Sequence, residues 1–112
     1  MKINEQMIDG IIILDLEGSL MGGPEAVSLN EMINRFLDEE SLKLILDLAS
    51  VERVNSSGLG ILIKALTNFK TNGGELKLAN VRAPLMKLLE ITKLNTILET
   101  YDSVDAAVKS FQ

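Results

Sequence analysis

The stretch Leu42–Phe69, LKLILDLASVERVNSSGLGILIKALTNF, decides how this chain folds. Its first half holds an unbroken apolar run, Leu44-Ile45-Leu46, that ends on Asp47-Leu48. A short apolar run bounded by charge reads as a strand buried on both faces. Ala49 to Val54 is expected to be a loop. Four small residues, Asn55-Ser56-Ser57-Gly58, then precede Leu59, Leu62, Ile63, Leu66 and Phe69, whose spacing of three and four marks one face of a helix. Asn55 or Ser56 is the expected N-cap, because a short polar side chain can accept a hydrogen bond from an N–H left free in the first turn. The order is buried strand, polar loop, and serine at a helix start.

Toward the N-terminus, Lys2–Ile8 is a weak strand pattern, Asp9-Gly10 a hairpin turn, and Ile11–Leu16 a β-branched strand after it. Glu17–Gly23 reads as a loop rich in glycine. Pro24 suits the first turn of a helix, where its missing N–H costs nothing. Ala26, Leu29, Ile33, Phe36 and Leu37 mark the inner face of that helix, which ends near Glu39. Toward the C-terminus, Asn72-Gly73-Gly74 stops the helix that follows Ser57. Leu76–Ala79 is a short strand, and Pro84 starts a helix lined by Leu85, Leu88 and Leu89. Thr96–Tyr101 reads as a last strand, and Asp102 as the cap of a final helix carrying Val104, Ala107, Val108 and Phe111 inward. A hairpin followed by alternating helices and strands predicts a single α/β domain over 1–112, with a mixed, mostly parallel sheet of about four to five strands and about four helices. No repeat, low-complexity segment or linker interrupts it.

Composition narrows the chemistry. The 112 residues suit one domain, and at this size roughly 60–70% of the unfolded surface is buried on folding. The absence of Cys removes disulfides and thiolate metal sites. The absence of His removes the commonest metal ligand and general base. A net charge of −5 argues against nucleic acid, which demands clustered Lys and Arg. No apolar run approaches the ~20 residues that span a bilayer, and Met1–Glu5 lacks the features of a signal peptide. The expectation is a cytoplasmic domain with no membrane contact, no metal and no cofactor. Gly58 and Gly60 form neither a dinucleotide fingerprint nor a phosphate loop, since no third glycine and no Gly-Lys-Ser/Thr follows. Asp15, Asp47 and Glu52 read as solvated or capping acids rather than a metal site.

Asp47-Leu48, Val51 and Asn55-Ser56-Ser57-Gly58-Leu59-Gly60 resemble the signature of the STAS domain and, within it, of the bacterial anti-sigma factor antagonists. The resemblance covers nearly the whole chain. It implies that Ser56 is a phosphorylation site, with Ser57 the lesser choice. It also implies that the Leu20–Pro24 loop helps form a partner surface, with Met21, Gly22, Asn55, Ser56, Ser57, Gly58 and Gly60 as its residues. The implied partner is an anti-sigma factor serine kinase, bound by the unphosphorylated form so that a sigma factor is released, and a PP2C-type phosphatase resets the switch. Asn55 departs from the family, which usually has Asp there. It retains capping ability but removes a carboxylate beside Ser56.

Each residue also has a plainer reading. Ser56 could serve only as an N-cap, and Ser57 as an early-turn residue bonded to the backbone. Met21 could be a buried loop anchor. Gly58 and Gly60 could answer close packing rather than a partner. At the level of function, the rival is a STAS subunit of a lipid-transport ATPase complex or a stressosome-like scaffold, with Ser56 unmodified. A serine hydrolase is disfavoured because no His is present to activate a hydroxyl.

Overall fold

A computed structural model describes residues 1–112, the side chain of Glu25 excepted. The chain runs β1 (Lys2–Ile8), β2 (Ile11–Leu20), α1 (Pro24–Asp38), β3 (Lys43–Val54), α2 (Ser56–Thr71), β4 (Glu75–Ala79), α3 (Ala83–Ile91), a 3-10 turn (Leu94–Thr96), β5 (Glu99–Tyr101) and α4 (Val104–Ser110). The five strands lie side by side in chain order. β1 is antiparallel to β2 through the Asp9-Gly10 turn, and every later pairing is parallel. Asp9 and Gly10 both have positive φ, 52° and 78°, as a type I′ hairpin turn requires. The mixed, mostly parallel sheet and the four helices expected from the sequence are present.

Period-two alternation sorts the strands' side chains. Ile12, Leu14 and Leu16 of β2, Leu44, Leu46 and Leu48 of β3, and Leu76 and Leu78 of β4 point to one face, where α1, α2 and α3 bury their apolar stripes. Ile11, Ile13, Ile45 and Ala79 point to the other, where they meet Ala107 and Val108 of α4. Strands buried on both faces explain the continuous apolar runs of β2 and β3.

Four points differ from the sequence reading. Ala49–Val54 is strand rather than loop, and β2 reaches Leu20 through what was expected to be loop. The two segments hold each other: after register shifts at Asp15/Glu17 and Gly18/Ser19, the ladder continues to Leu20 opposite Val54. Pairing, rather than apolar content, makes this part of β3 a strand. Thr96–Tyr101 is strand only from Glu99, because Lys93 turns left-handed (φ 61°) and winds Leu94–Thr96 into a 3-10 turn. Asp102 does not cap α4. Ser103 does, its Oγ accepting from the Ala106 N–H at 3.0 Å.

Because α1, α2 and α3 each begin where a strand ends, three helix starts gather at the carboxyl ends of β2, β3 and β4. That end of the molecule carries the candidate site.

Candidate functional site

The first turn of α2 is shaped by one close approach. Gly58 lies against the end of β2, and a Cβ there would sit 1.7 Å from the Leu20 carbonyl oxygen. No side chain fits without moving backbone, so packing alone requires glycine there. The Asn55 N–H points to the same carbonyl at 3.4 Å. Gly60 is the opposite case: it is exposed, and a Cβ there would meet nothing within 4 Å. Of the two readings open for these glycines, close packing accounts for Gly58, while nothing packs against Gly60.

Asn55 is the N-cap. Its backbone is extended (φ −115°, ψ −176°) and its side-chain oxygen accepts from the Gly58 N–H at 2.8 Å. Ser56 is therefore the first helical residue rather than the cap, and it is exposed. Ser57 is exposed too, but the β2–α1 loop crosses beside it: a Cβ on Gly22 would stand 3.1 Å from the Ser57 Cβ. Gly22 has φ +98°, so a side chain there would be strained as well as crowded. Among the described residues neither serine hydroxyl has a hydrogen-bond partner. The first-turn N–H groups of an α-helix lack intrahelical acceptors, and the helix dipole adds partial positive charge. An anion carried on Ser56 would therefore be stabilised there, and the hydroxyl is free to be reached.

Met21, left open between exposed contact and buried anchor, is 42% exposed. Met21, Gly22, Asn55, Ser56, Ser57 and Gly60 thus share one end of the molecule, while Gly58 lies beneath them, buried. Sequence reasoning missed their neighbours. Val27, in the first turns of α1, is 59% exposed. Between α1 and α2 a groove is lined by Ala26, Leu29, Asn30, Ile33, Ile61, Lys64 and Ala65. The available signal was Val27 itself, an apolar residue off the inward stripe of its helix.

Of the three acids read from the sequence, Glu52 is exposed. Asp15 and Asp47 are register partners across β2 and β3. Asp47 accepts from the Ala49 N–H at 3.1 Å and from Asn80 Nδ2 at 2.9 Å, tying the middle of β3 to the residue after β4. Burial first, then the Asp47 and Glu17 carboxylates, raise the Asp15 pKa above the ordinary value, against a lowering by Lys2. Among the described residues no three potential metal ligands come together. Among the described residues no helix is long and apolar enough to cross a membrane.

The family model for the STAS domain matches residues 2–107. The chain is 26% identical to an anti-sigma F factor antagonist of Paenibacillus polymyxa over 84% of this chain and 80% of that one. Its fold superposes on the crystal structure of an anti-sigma factor antagonist from Mycobacterium paratuberculosis with a TM-score of 0.82, at 22% identity, covering 97% and 92% of the two chains. It also matches the Bacillus cell fate determinant SpoIIAA in its phosphorylated form, with a TM-score of 0.78 at 14% identity over 99% and 100%. At such identities the two structural likenesses speak for the fold.

Proposed function

We propose that this chain, which belongs to the STAS domain family, is an anti-sigma factor antagonist whose binding to an anti-sigma factor kinase is switched off by phosphorylation of Ser56. The observation that carries this reading is the division of labour in the first turn of α2. Asn55 does the capping, Gly58 does the packing, and Ser56 is left exposed with no structural task. A hydroxyl in that position can enter a kinase active site without local unfolding.

A phosphate there adds a charge of about −1.5 to −2. The helix start accommodates it, so the fold persists while the surface changes. A partner seated over Met21, Val27 and the exposed start of α2 must then strip water from the phosphate or leave. The switch is electrostatic and local, and it calls for no large rearrangement. The relative from Paenibacillus is an anti-sigma F factor antagonist, and SpoIIAA, of the same fold, occurs in a phosphorylated form. A PP2C-type phosphatase would reset the cycle, in the cytoplasm, and the chain itself would perform no chemistry. Asn55 in place of the family's usual Asp fits this reading, since it caps α2 without placing a second negative charge beside the phosphate.

The test is a calorimetric titration of the partner kinase, without ATP, into wild type, Ser56→Ala and Ser56→Asp. The alanine variant is expected to bind as wild type does. The aspartate variant is expected to bind at least about tenfold more weakly, which is about 1.4 kcal/mol. Equal affinity for all three would overturn the switch.

A further inference from the structure

The sheet has two edges that differ in kind. β5 exposes only three residues, Glu99–Tyr101. β1 exposes seven, Lys2–Ile8, in unbroken register with β2. Proline and bulges, which commonly blunt an edge, are absent from β1. A two-residue turn closes on a hydrogen-bonded pair, here Ile8 and Ile11, and such pairs alternate along an antiparallel ladder. Ile8, Gln6, Asn4 and Lys2 therefore bond to β2. The N–H and C=O groups of Ile3, Glu5 and Met7 face outward.

We propose that β1 pairs with β1 of a second copy of this chain, antiparallel about a two-fold axis at Glu5, so that two five-stranded sheets become one. Only this register uses all three outward residues: Glu5 faces Glu5, and Ile3 faces Met7 of the second copy, twice. A slip by two residues loses one of these pairs and sets Glu5 against an apolar side chain. In the proposed register Met7, 60% exposed in the single chain, covers Ile3, which already rests on the core. On the opposite face of the joined sheet, Asn4 meets Gln6. Two carboxylates directly across a ladder repel. Each Glu5, however, is held by Arg35 of its own α1, so two ion pairs, rather than two bare charges, meet at the axis. The two-fold reverses strand direction, so the two α2 starts lie at opposite ends of the joined sheet and both stay open.

The test is sedimentation equilibrium of wild type and Met7→Lys, with Val27→Lys as a control in an exposed apolar residue of α1, outside β1. Wild type and V27K are expected to sediment at twice the 12.3 kDa chain mass, and M7K, which sets a charge against Ile3, at the single mass. Hydrogen exchange reads the edge directly, without relying on a variant. The amides of Ile3, Glu5 and Met7 should slow with rising protein concentration, while those of Asn4, Gln6 and Ile8 stay protected throughout. A wild type that remains monomeric into the millimolar range would overturn the proposal and leave the edge to a strand from a different protein. So would a dimer in which the amides of Ile3, Glu5 and Met7 exchange as fast as they do in monomeric M7K.

Discussion

The face of the sheet covered by α1, α2 and α3 is apolar from β2 to β4, whereas the face under α4 contains Lys77, Asp15 and Asp47 among its strand residues. The first is a contiguous core in which three helices bury Leu29, Ile33, Phe36, Leu62, Leu66, Phe69, Leu85 and Leu89. The second is smaller: one seven-residue helix covers Ile11, Ile13, Ile45 and Ala79, and the charged Asp15, Asp47 and Lys77 share that face. Stability is thus concentrated on one side. The candidate site stands at the rim of that side, where the first turn of α2 is pressed onto the end of β2. A surface that must meet a partner without deforming gains from such backing, because the close-packed interior beneath it resists displacement.

The largest effect should come from breaking that backing. Gly58→Ala is informative because two arguments oppose each other in sign. Helix propensity alone would make it stabilising by up to about 1 kcal/mol. The Leu20 carbonyl oxygen, 1.7 Å from the added methyl, makes it destabilising instead. That oxygen is backbone rather than the tip of a flexible side chain, so backbone must shift, and a loss of about 3 kcal/mol or more is expected. For a domain of this size that is a fall in melting temperature of roughly 10 °C or more. Gly60→Ala, where the methyl meets open space, should be neutral or slightly stabilising in the same thermal scan. Equal effects at the two glycines would show that the turn is not clamped as described.

The contrast between these glycines also marks how far the sequence could be read. The β3–α2 stretch disclosed its strand and its helix, and narrowed its cap to Asn55 or Ser56, because each rests on local signals: an apolar run, a three-four spacing, a short polar residue before the first turn. The element order and the mixed sheet followed from the same kinds of signal. What Gly58 touches was not legible, since Leu20 is distant in sequence and the contact exists only once β2 and β3 pair to their ends. For the same reason Ala49–Val54 read as loop: its strand character comes from its partner in β2. Val27 stood off the apolar stripe of α1 and could have been flagged. Lys77 could not, because a lysine between two leucines in a strand reads as solvent-facing.

Lys77 tests the thinner face, with a smaller expected effect. It is 7% exposed. Its ammonium donates to Ser110 Oγ at 2.8 Å and to the Ser110 carbonyl at 3.3 Å. It lies 3.4 Å from a Glu99 carboxylate and 4.2 Å from the centre of the Phe111 ring. The lysine therefore joins β4 and β5 to the last turn of α4. Lys77→Ala removes these charge-assisted bonds and the packing of the stem, and should cost about 2–3 kcal/mol. Urea titration followed by circular dichroism would measure it. If α4 is held chiefly by Lys77, hydrogen exchange in α4 should rise more than in α2. A uniform rise would mean that both faces open together.

Asp15→Asn should give the smallest effect and the clearest pH signature. Burial, Asp47 and Glu17 all disfavour the ionised Asp15 carboxylate, and Lys2 only partly offsets them. The folded state therefore binds the proton more tightly than the unfolded chain does. A raised folded pKa on an acid means that stability is greatest when the group is protonated. It declines as pH rises from the unfolded value, about 3.9, through the raised folded one. Above that window the wild type bears the full cost of the charge, and the neutral asparagine does not. The variant is thus expected to melt higher than wild type at pH 7, with the gap narrowing as pH falls and closing below about pH 3.9, where Asp15 is protonated in both states. Melting curves across this range check both sign and window. A gap that stays constant with pH would assign the effect to packing at Asp15 rather than to its charge, and the polar part of the α4 face would then carry no electrostatic strain.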